Sequence, residues 1–219
     1  MIRLIALVLA ILVSGCVPEV TAEKLATIKT IGVVLAVGDN VTLKRVGVTV
    51  FGNAEKTFYR PQWGLKRDLF MRIKSQLGNR FDVREAMMPL DDHAAPSKIR
   101  TAFAEVRPPG LDAYLVVTTI SILFDGTNQP YRGAGLLRIS GISSFKVSAY
   151  ENLSFGLYDG RSLERLSFAG SSELTDVASD VWVDSLDGAS EAQVRRVREV
   201  LLSLPNENLI RAFRRMHLE

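Results

Sequence analysis

The sequence predicts an α+β domain, a mixed and largely antiparallel sheet with helices packed on one side. Three observations predict it. Short β-branched runs bounded by glycine recur in the first half of the chain, as in Val33-Val34-Leu35-Ala36-Val37 before Gly38. Alternating apolar and polar residues run from Phe145 to Leu157 and end near Asp159-Gly160, the pattern of a strand entering a tight turn. Apolar residues spaced by three and four mark helices in the middle of the chain and at its carboxy-terminal end.

The first strand is expected over residues 27–37, fully buried because its apolar run is continuous. Gly38-Asp39-Asn40 reads as a turn into a second strand over 41–51, and the two strands are expected to form a hairpin. In the second strand the apolar positions Val41 and Leu43 shift phase to Val46, Val48 and Val50, as a bulge at Lys44-Arg45 would produce. Leu65, Leu69, Ile73 and Leu77 share one helix face, which Gly78 ends. A short strand is expected at 81–84, a loop at 89–96 and a helix at 97–106, stopped by Pro108-Pro109.

Residues 111–124 hold the best candidate for a central strand, and residues 125–141, rich in glycine, read as irregular. Phe145, Val147, Ala149, Leu153, Phe155 and Leu157 then share one face, broken only by Glu151. Ser144, Lys146, Ser148, Asn152 and Ser154 point the other way and predict a solvated face. After a turn at 159–162, residues 163–171 return antiparallel. Ser190-Glu191-Ala192-Gln193 forms a capping box that opens a helix with the core stripe Val194, Val197, Leu201 and Leu204. Beyond Pro205, Leu209, Phe213 and Met216 continue an apolar face.

The amino terminus has a different character. Arg3 precedes ten unbroken apolar residues, Leu4 to Val13, and Ser14, Gly15 and Cys16 follow. A charged start, a short apolar run and a small-residue cut site are the parts of an export signal. The run is half the roughly 20 residues that a membrane-spanning helix needs. Val13-Ser14-Gly15-Cys16 resembles the lipobox of bacterial lipoproteins: an aliphatic residue, a small residue, Gly or Ala, then Cys. The resemblance implies cleavage between Gly15 and Cys16, a diacylglyceryl thioether on the Cys16 sulfur and acylation, typically by palmitate, of the new amino group. Val17 stands where an Asp commonly signals inner-membrane retention, so the resemblance implies the outer membrane, facing the periplasm. Three acyl chains hold stably where one holds only marginally. The expected organisation is a signal peptide at 1–15, a lipidated cysteine and short tether at 16–27, and a single domain at 28–219.

Composition agrees with that address. Cys16 is the only cysteine, so no disulfide forms within the chain, and lipidation accounts for a lone thiol in an exported protein. Hydrophobic content of 47% and charged content of 23% fit a globular domain. Losing Arg3 lowers the formal net charge from +3 to +2, a surplus spread along the chain that gives no nucleic-acid footprint.

Candidate chemistry is sparse. His93, in Asp91-Asp92-His93, lies in a proline-bracketed loop with no second His nearby, and His217 stands two residues from the chain end, where a surface position is expected. No Gly-x-Ser-x-Gly elbow occurs. Gly133-Ala134-Gly135 begins like a dinucleotide loop, but Arg138 replaces the third glycine and the strand–helix context is missing. Asp176, Asp180, Asp184 and Asp187 would line one face of a helix, a weak divalent-cation candidate against the simpler reading of a solvated acidic face. Arg195, Arg196, Arg198, Arg211, Arg214 and Arg215 make the last helices basic, either a solvated face or a contact for anionic lipid heads. No cofactor is expected.

The element order also resembles the α/β domains of periplasmic assembly lipoproteins: the curli-secretion lipoproteins, the lipoprotein activators of cell-wall synthases and the amino-terminal domain of the Tol–Pal propeller protein. The likeness is one of layout over residues 28–219, in particular the hairpin closed by Asp159-Gly160 before a carboxy-terminal helix. It implies a non-catalytic binding or envelope-assembly module with a protein partner. A subunit of an outer-membrane secretion pore and a small hydrolase using His93 or the row Asp176, Asp180, Asp184 and Asp187 are the alternatives.

Overall fold

One long strand organises the sheet. The computed structural model describes residues 21–91, 94–106, 110–123 and 129–219. Strand β8 (Phe145–Asp159) has 15 residues and extends about 50 Å at the usual rise of a strand. One edge pairs along its length with β9 (Arg165–Val177), from Val147 opposite Val177 to Tyr158 opposite Arg165. The other edge is divided. Phe145–Asn152 pairs with β7 (Pro130–Ser140), and Leu153–Asp159 pairs with β5 (Ala113–Thr119). The sheet therefore forks at Asn152.

Each branch widens into a wing. Beside β7 lie β2 (Asn40–Val46) and then β3 (Ala54–Tyr59). Beside β5 lie β1 (Thr30–Ala36) and then β4 (Asp82–Glu85). A short β6 (Ser121–Leu123) pairs with the start of β7. Three pairings, β1–β4, β1–β5 and β2–β7, are parallel and the other five antiparallel. This is the expected single α+β domain with a mixed, largely antiparallel sheet.

Helices α2 (Leu65–Leu77), α4 (Glu191–Leu202) and α5 (Glu207–Arg215) cover one side. Leu69, Ile73 and Leu77 of α2 and Leu209 and Phe213 of α5 pack on Ile31, Leu115, Leu153 and Phe155. Phe213 meets Phe155 edge-on, with ring centroids 5.3 Å apart. Val197 and Leu201 of α4 pack on Val41, Leu43, Leu136 and Ala149 of the other wing. The capping box forms: Gln193 N–H donates to Ser190 Oγ at 3.3 Å, and Ser190 N–H donates to Gln193 Oε1 at 2.9 Å. On the reverse side α3 (Pro96–Glu105) sets Ile99 and Phe103 against Val34, Tyr114, Val116 and Tyr158.

Several expectations are corrected. Strands β1 and β2 do not form a hairpin; Gly38 and Asp39 carry the chain from one wing to the other. β2 has no bulge at Lys44-Arg45, since its register with β3 and β7 is unbroken. The phase change arises because both faces are covered: Val41 and Leu43 lie under α4, while Lys44 and Val46 are buried on the reverse side. β2 also stops at Val46, and Val50–Gly52 is a 3-10 turn. Residues 130–140, read as irregular, form β7, because Gly135 lets β2 approach closely: a Cβ there would sit 1.9 Å from the Thr42 carbonyl oxygen. The 111–124 run is divided at Ile120 into β5 and β6. The face of β8 expected to be solvated is covered, with Ser148, Asn152 and Ser154 buried.

The segment read as a tether also carries structure. Helix α1 (Ala22–Thr27) is capped by Thr21, whose Oγ1 accepts from Lys24 N–H at 3.2 Å. Leu25 is buried in the main core. The export signal, Gly15 and Cys16 lie outside the described residues, as does His93.

Candidate functional site

The fork creates a cleft of about 230 Å³. It opens beyond the carboxyl ends of the parallel strands β1 and β5, where the sheet changes its order of neighbours. Ligands in open α/β sheets sit in this kind of place, because strand ends diverge there and leave backbone and loop groups facing a gap.

Asn152 holds the branch point. It is the last β8 residue opposite β7, and Leu153 is the first opposite β5. Its Nδ2 donates to the Tyr131 carbonyl at 3.3 Å, and its Oδ1 accepts from Ser172 Oγ at 2.7 Å. Its own carbonyl accepts from Ile120 N–H at 3.2 Å. One fully buried side chain thus ties β7, β8 and β9 together at the fork. Arg132 bridges the gap between branches: Nε donates to Thr119 Oγ1 at 2.9 Å and Nη2 to the Thr119 carbonyl at 3.1 Å. Gly133, with a φ of 65°, bends β7 at the cleft wall, a conformation that disfavours any side chain.

Thr42 and Thr57 stand on one wall, their hydroxyls 3.0 Å apart. Val37, Leu65, Leu69 and Leu153 supply an apolar lining. Two carboxylates reach the cleft, and each is already engaged. Glu55 accepts from Lys44 Nζ at 2.7 Å, and the same ammonium donates to the Pro130 carbonyl. Glu151 accepts from Arg72 Nη2 at 2.6 Å and from Nη1 at 3.1 Å. Arg72 Nε also donates to Asp68 Oδ2 at 2.9 Å. Burial opposes the charge on Arg72, but Glu151 and Asp68 outweigh it and raise its pKa.

Two cations line the cleft without a carboxylate among the described residues: Lys66, in the first turn of α2, and Arg132. Behind Thr42 and Tyr131 lies the Tyr150 hydroxyl, buried and within reach of the Thr42 side chain. Desolvation, with Glu55 nearby, pushes its pKa up, so it is a neutral donor. Among the described residues neither His nor Cys lines the cleft.

The residues singled out in the sequence lie elsewhere. Asp176, Asp180, Asp184 and Asp187 do not share a helix face: Asp176 is next to last in β9, Asp180 sits in a 3-10 turn, and the other two follow in irregular chain. Each has its own basic partner. Lys146 pairs with Asp176 at 2.8 Å and Arg196 with Asp180 at 2.6 Å. Arg45 and Arg138 approach Asp184, and Arg60 bonds Asp187. Lys146 and Ser148 bonds also lower the Asp176 pKa. Among the described residues no three His, Cys, Asp or Glu side chains converge as a metal site would require. Arg195, Arg196, Arg211, Arg214 and Arg215 are exposed, and Arg198 Nε donates to the Trp63 carbonyl at 3.0 Å. His217 is exposed as expected. Gly133 and Gly135, read as a loop, belong to β7, and Gly133 lines the cleft. Sequence reasoning missed Lys66, Arg132 and Asn152; the one visible signal was Glu151, the break in an otherwise apolar face.

No protein-family model matches the sequence, and no curated protein is similar to it. Among solved structures, a DUF330-family protein from Xanthomonas campestris is similar at 7% identity, covering 87% of this chain and 92% of that one, with a TM-score of 0.40. A lipoprotein from Neisseria meningitidis is similar at 13% identity over 76% of this chain and 90% of its own, with a TM-score of 0.31. A Helicobacter pylori protein described as a neuraminyllactose-binding hemagglutinin homologue is similar at 11% identity over 87% and 92%, with a TM-score of 0.32. At such scores and identities the likeness carries no argument about function.

Proposed function

We propose that this chain is a lipid-anchored envelope protein, held by an acylated Cys16 on the periplasmic face of the outer membrane. It acts as a non-catalytic binding module, with the fork cleft as its ligand site and an envelope protein as partner. The observation that carries the reading is the closeness of lipobox and fold. The helix cap at Thr21 stands five residues beyond Cys16, a reach of at most about 18 Å. An anchor that near keeps the domain at the membrane surface.

The pore alternative is less well supported. β8 and β9 have the length of membrane-spanning strands, but Phe155 of β8 packs under α5 and Tyr150 packs on Tyr131 on the opposite face. A strand covered on both faces by its own domain has no side left for lipid.

Metabolic labelling with a clickable palmitate analogue tests the anchor. The wild-type protein takes the label and sediments with the outer membrane. The Cys16→Ala variant does neither. Label retained in the variant sinks the proposal. Crosslinking in intact cells, which captures one reproducible envelope protein from the wild type, tests the partner.

A further inference from the structure

We propose that the fork cleft takes a ligand with an anionic head, a phosphate or carboxylate, on a short apolar body. This rests on the cleft being the ligand site and goes on to name what it holds. The argument is one of charge. Lys66 and Arg132 line the cleft with no carboxylate partner among the described residues, while Glu55 and Glu151 are taken by Lys44 and Arg72. With Asp68 included, the cleft and its immediate support hold four cations against three carboxylates.

The geometry sharpens that surplus. Arg132 is held in place by two bonds to Thr119, and neither uses Nη1. A guanidinium fixed by neutral acceptors keeps its full charge and loses little entropy when an anion arrives. Lys66 supplies a movable ammonium from the α2 side. Thr42 and Thr57 add hydroxyls, and the buried Tyr150 hydroxyl lies just behind Thr42. Val37, Leu65, Leu69 and Leu153 leave the rest of the space apolar. The volume of about 230 Å³ is below that of sites for drug-sized molecules. It accommodates a head and a short chain but not a whole lipid.

Calorimetric titration of the full-length protein in neutral-lipid nanodiscs tests this with four probes: hexyl phosphate, hexanoate, inorganic phosphate and hexanol. Hexyl phosphate and hexanoate are expected to bind saturably. Hexanol is expected to bind at least about tenfold more weakly, because it lacks the charge-assisted bonds. Lys66→Gln and Arg132→Gln should each weaken hexyl phosphate about tenfold, with Arg132→Lys recovering part of the loss. Lys66 is half-buried and makes no ion pair among the described residues, so its variant reads the charge with little disturbance of the fold.

The failures are separable. Hexanol binding as tightly as hexyl phosphate, with both lost in the cleft-filling Ala134→Trp variant, overturns the anionic head and leaves the cleft as the site. Inorganic phosphate binding as tightly as hexyl phosphate overturns the apolar body and marks a free anion as the ligand. No saturable binding by any probe, or binding unchanged in Lys66→Gln and Ala134→Trp alike, overturns both the assignment and the cleft reading.

Discussion

Asn152 donates from Nδ2 to the carbonyl of Tyr131 at 3.3 Å, across the point where β8 changes partner from β7 to β5. No backbone ladder can satisfy both branches there, so a side-chain amide closes the gap. The same amide accepts from Ser172, which leaves neither end of the group unsatisfied in a fully buried position. Asn152→Leu removes both bonds and strands the Ser172 hydroxyl. It should cost about 2–3 kcal/mol, read as a lower urea midpoint. Asn152→Asp should cost more, because a buried carboxylate would face the Tyr131 carbonyl with no cation. A neutral outcome for both would mean that the fork is held by its strands alone.

The Arg72–Glu151 pair joins α2 to β8 beneath the cleft, and both side chains are largely shielded from water. Removing Arg72 leaves Glu151 as an uncompensated buried charge, whereas removing Glu151 leaves Arg72 its bond to Asp68. Arg72→Ala should therefore destabilise by about 3 kcal/mol or more and Glu151→Ala by less, while Arg72→Met with Glu151→Leu should recover most of the Arg72→Ala loss. A double-mutant cycle checks this, and additive losses would show that the two charges do not act as a pair.

Acid should loosen the amino-terminal edge of the domain. Burial opposes ionisation of Asp159, but Lys24, 2.5 Å away, and the N–H groups of Ser162 and Arg161 outweigh it and pull the carboxyl down to about 2. Asp112 is lowered in the same way by the N–H groups of Lys29 and Thr30. A carboxyl depressed in the folded state contributes stability that is present above its ordinary value near 3.8 and is lost as the pH falls toward about 2. Half-exposed Lys24 is screened by solvent, so Lys24→Ala should cost only about 1 kcal/mol at neutral pH. Thermal melts of wild type and variant should differ most above pH 4 and converge near pH 2. A gap that persists at the lowest pH would assign the effect to packing of α1.

What the sequence reveals and what it hides divide along physical lines. The capping box at Ser190, the α2 stripe and the apolar face of β8 are local periodicities, and all are legible. Pairing is not local. Gly38-Asp39-Asn40 reads as a hairpin turn because nothing nearby shows that β1 and β2 have other partners, far along the chain. The phase change in β2 looks like a bulge until Lys44 is seen buried against Glu55 on the second covered face. The cleft is the hardest to foresee, since Lys66, Arg132 and Glu151 come from three elements that meet only because β8 divides its edge.

Gly135 is where that division is most open to a direct test. Its Cα lies so close to β2 that an added Cβ would sit 1.9 Å from the Thr42 carbonyl oxygen and 2.8 Å from its carbonyl carbon. These are backbone atoms in a continuous parallel ladder, so the clash has no side chain that can swing away. Gly135→Ala must therefore push β2 from β7, breaking ladder bonds and moving Thr42 out of the cleft wall. The expected loss is about 3 kcal/mol or more, beyond the usual range for a surface change. Gly133→Ala, one pleat earlier, is a useful contrast. Its Cβ would meet only the Thr119 methyl at 3.5 Å, and its positive φ limits the cost to about 1–2 kcal/mol. Equilibrium unfolding of the two variants side by side separates backbone collision from dihedral strain, and equal losses would rule out the close approach of β2 and β7 as the reason for glycine at 135.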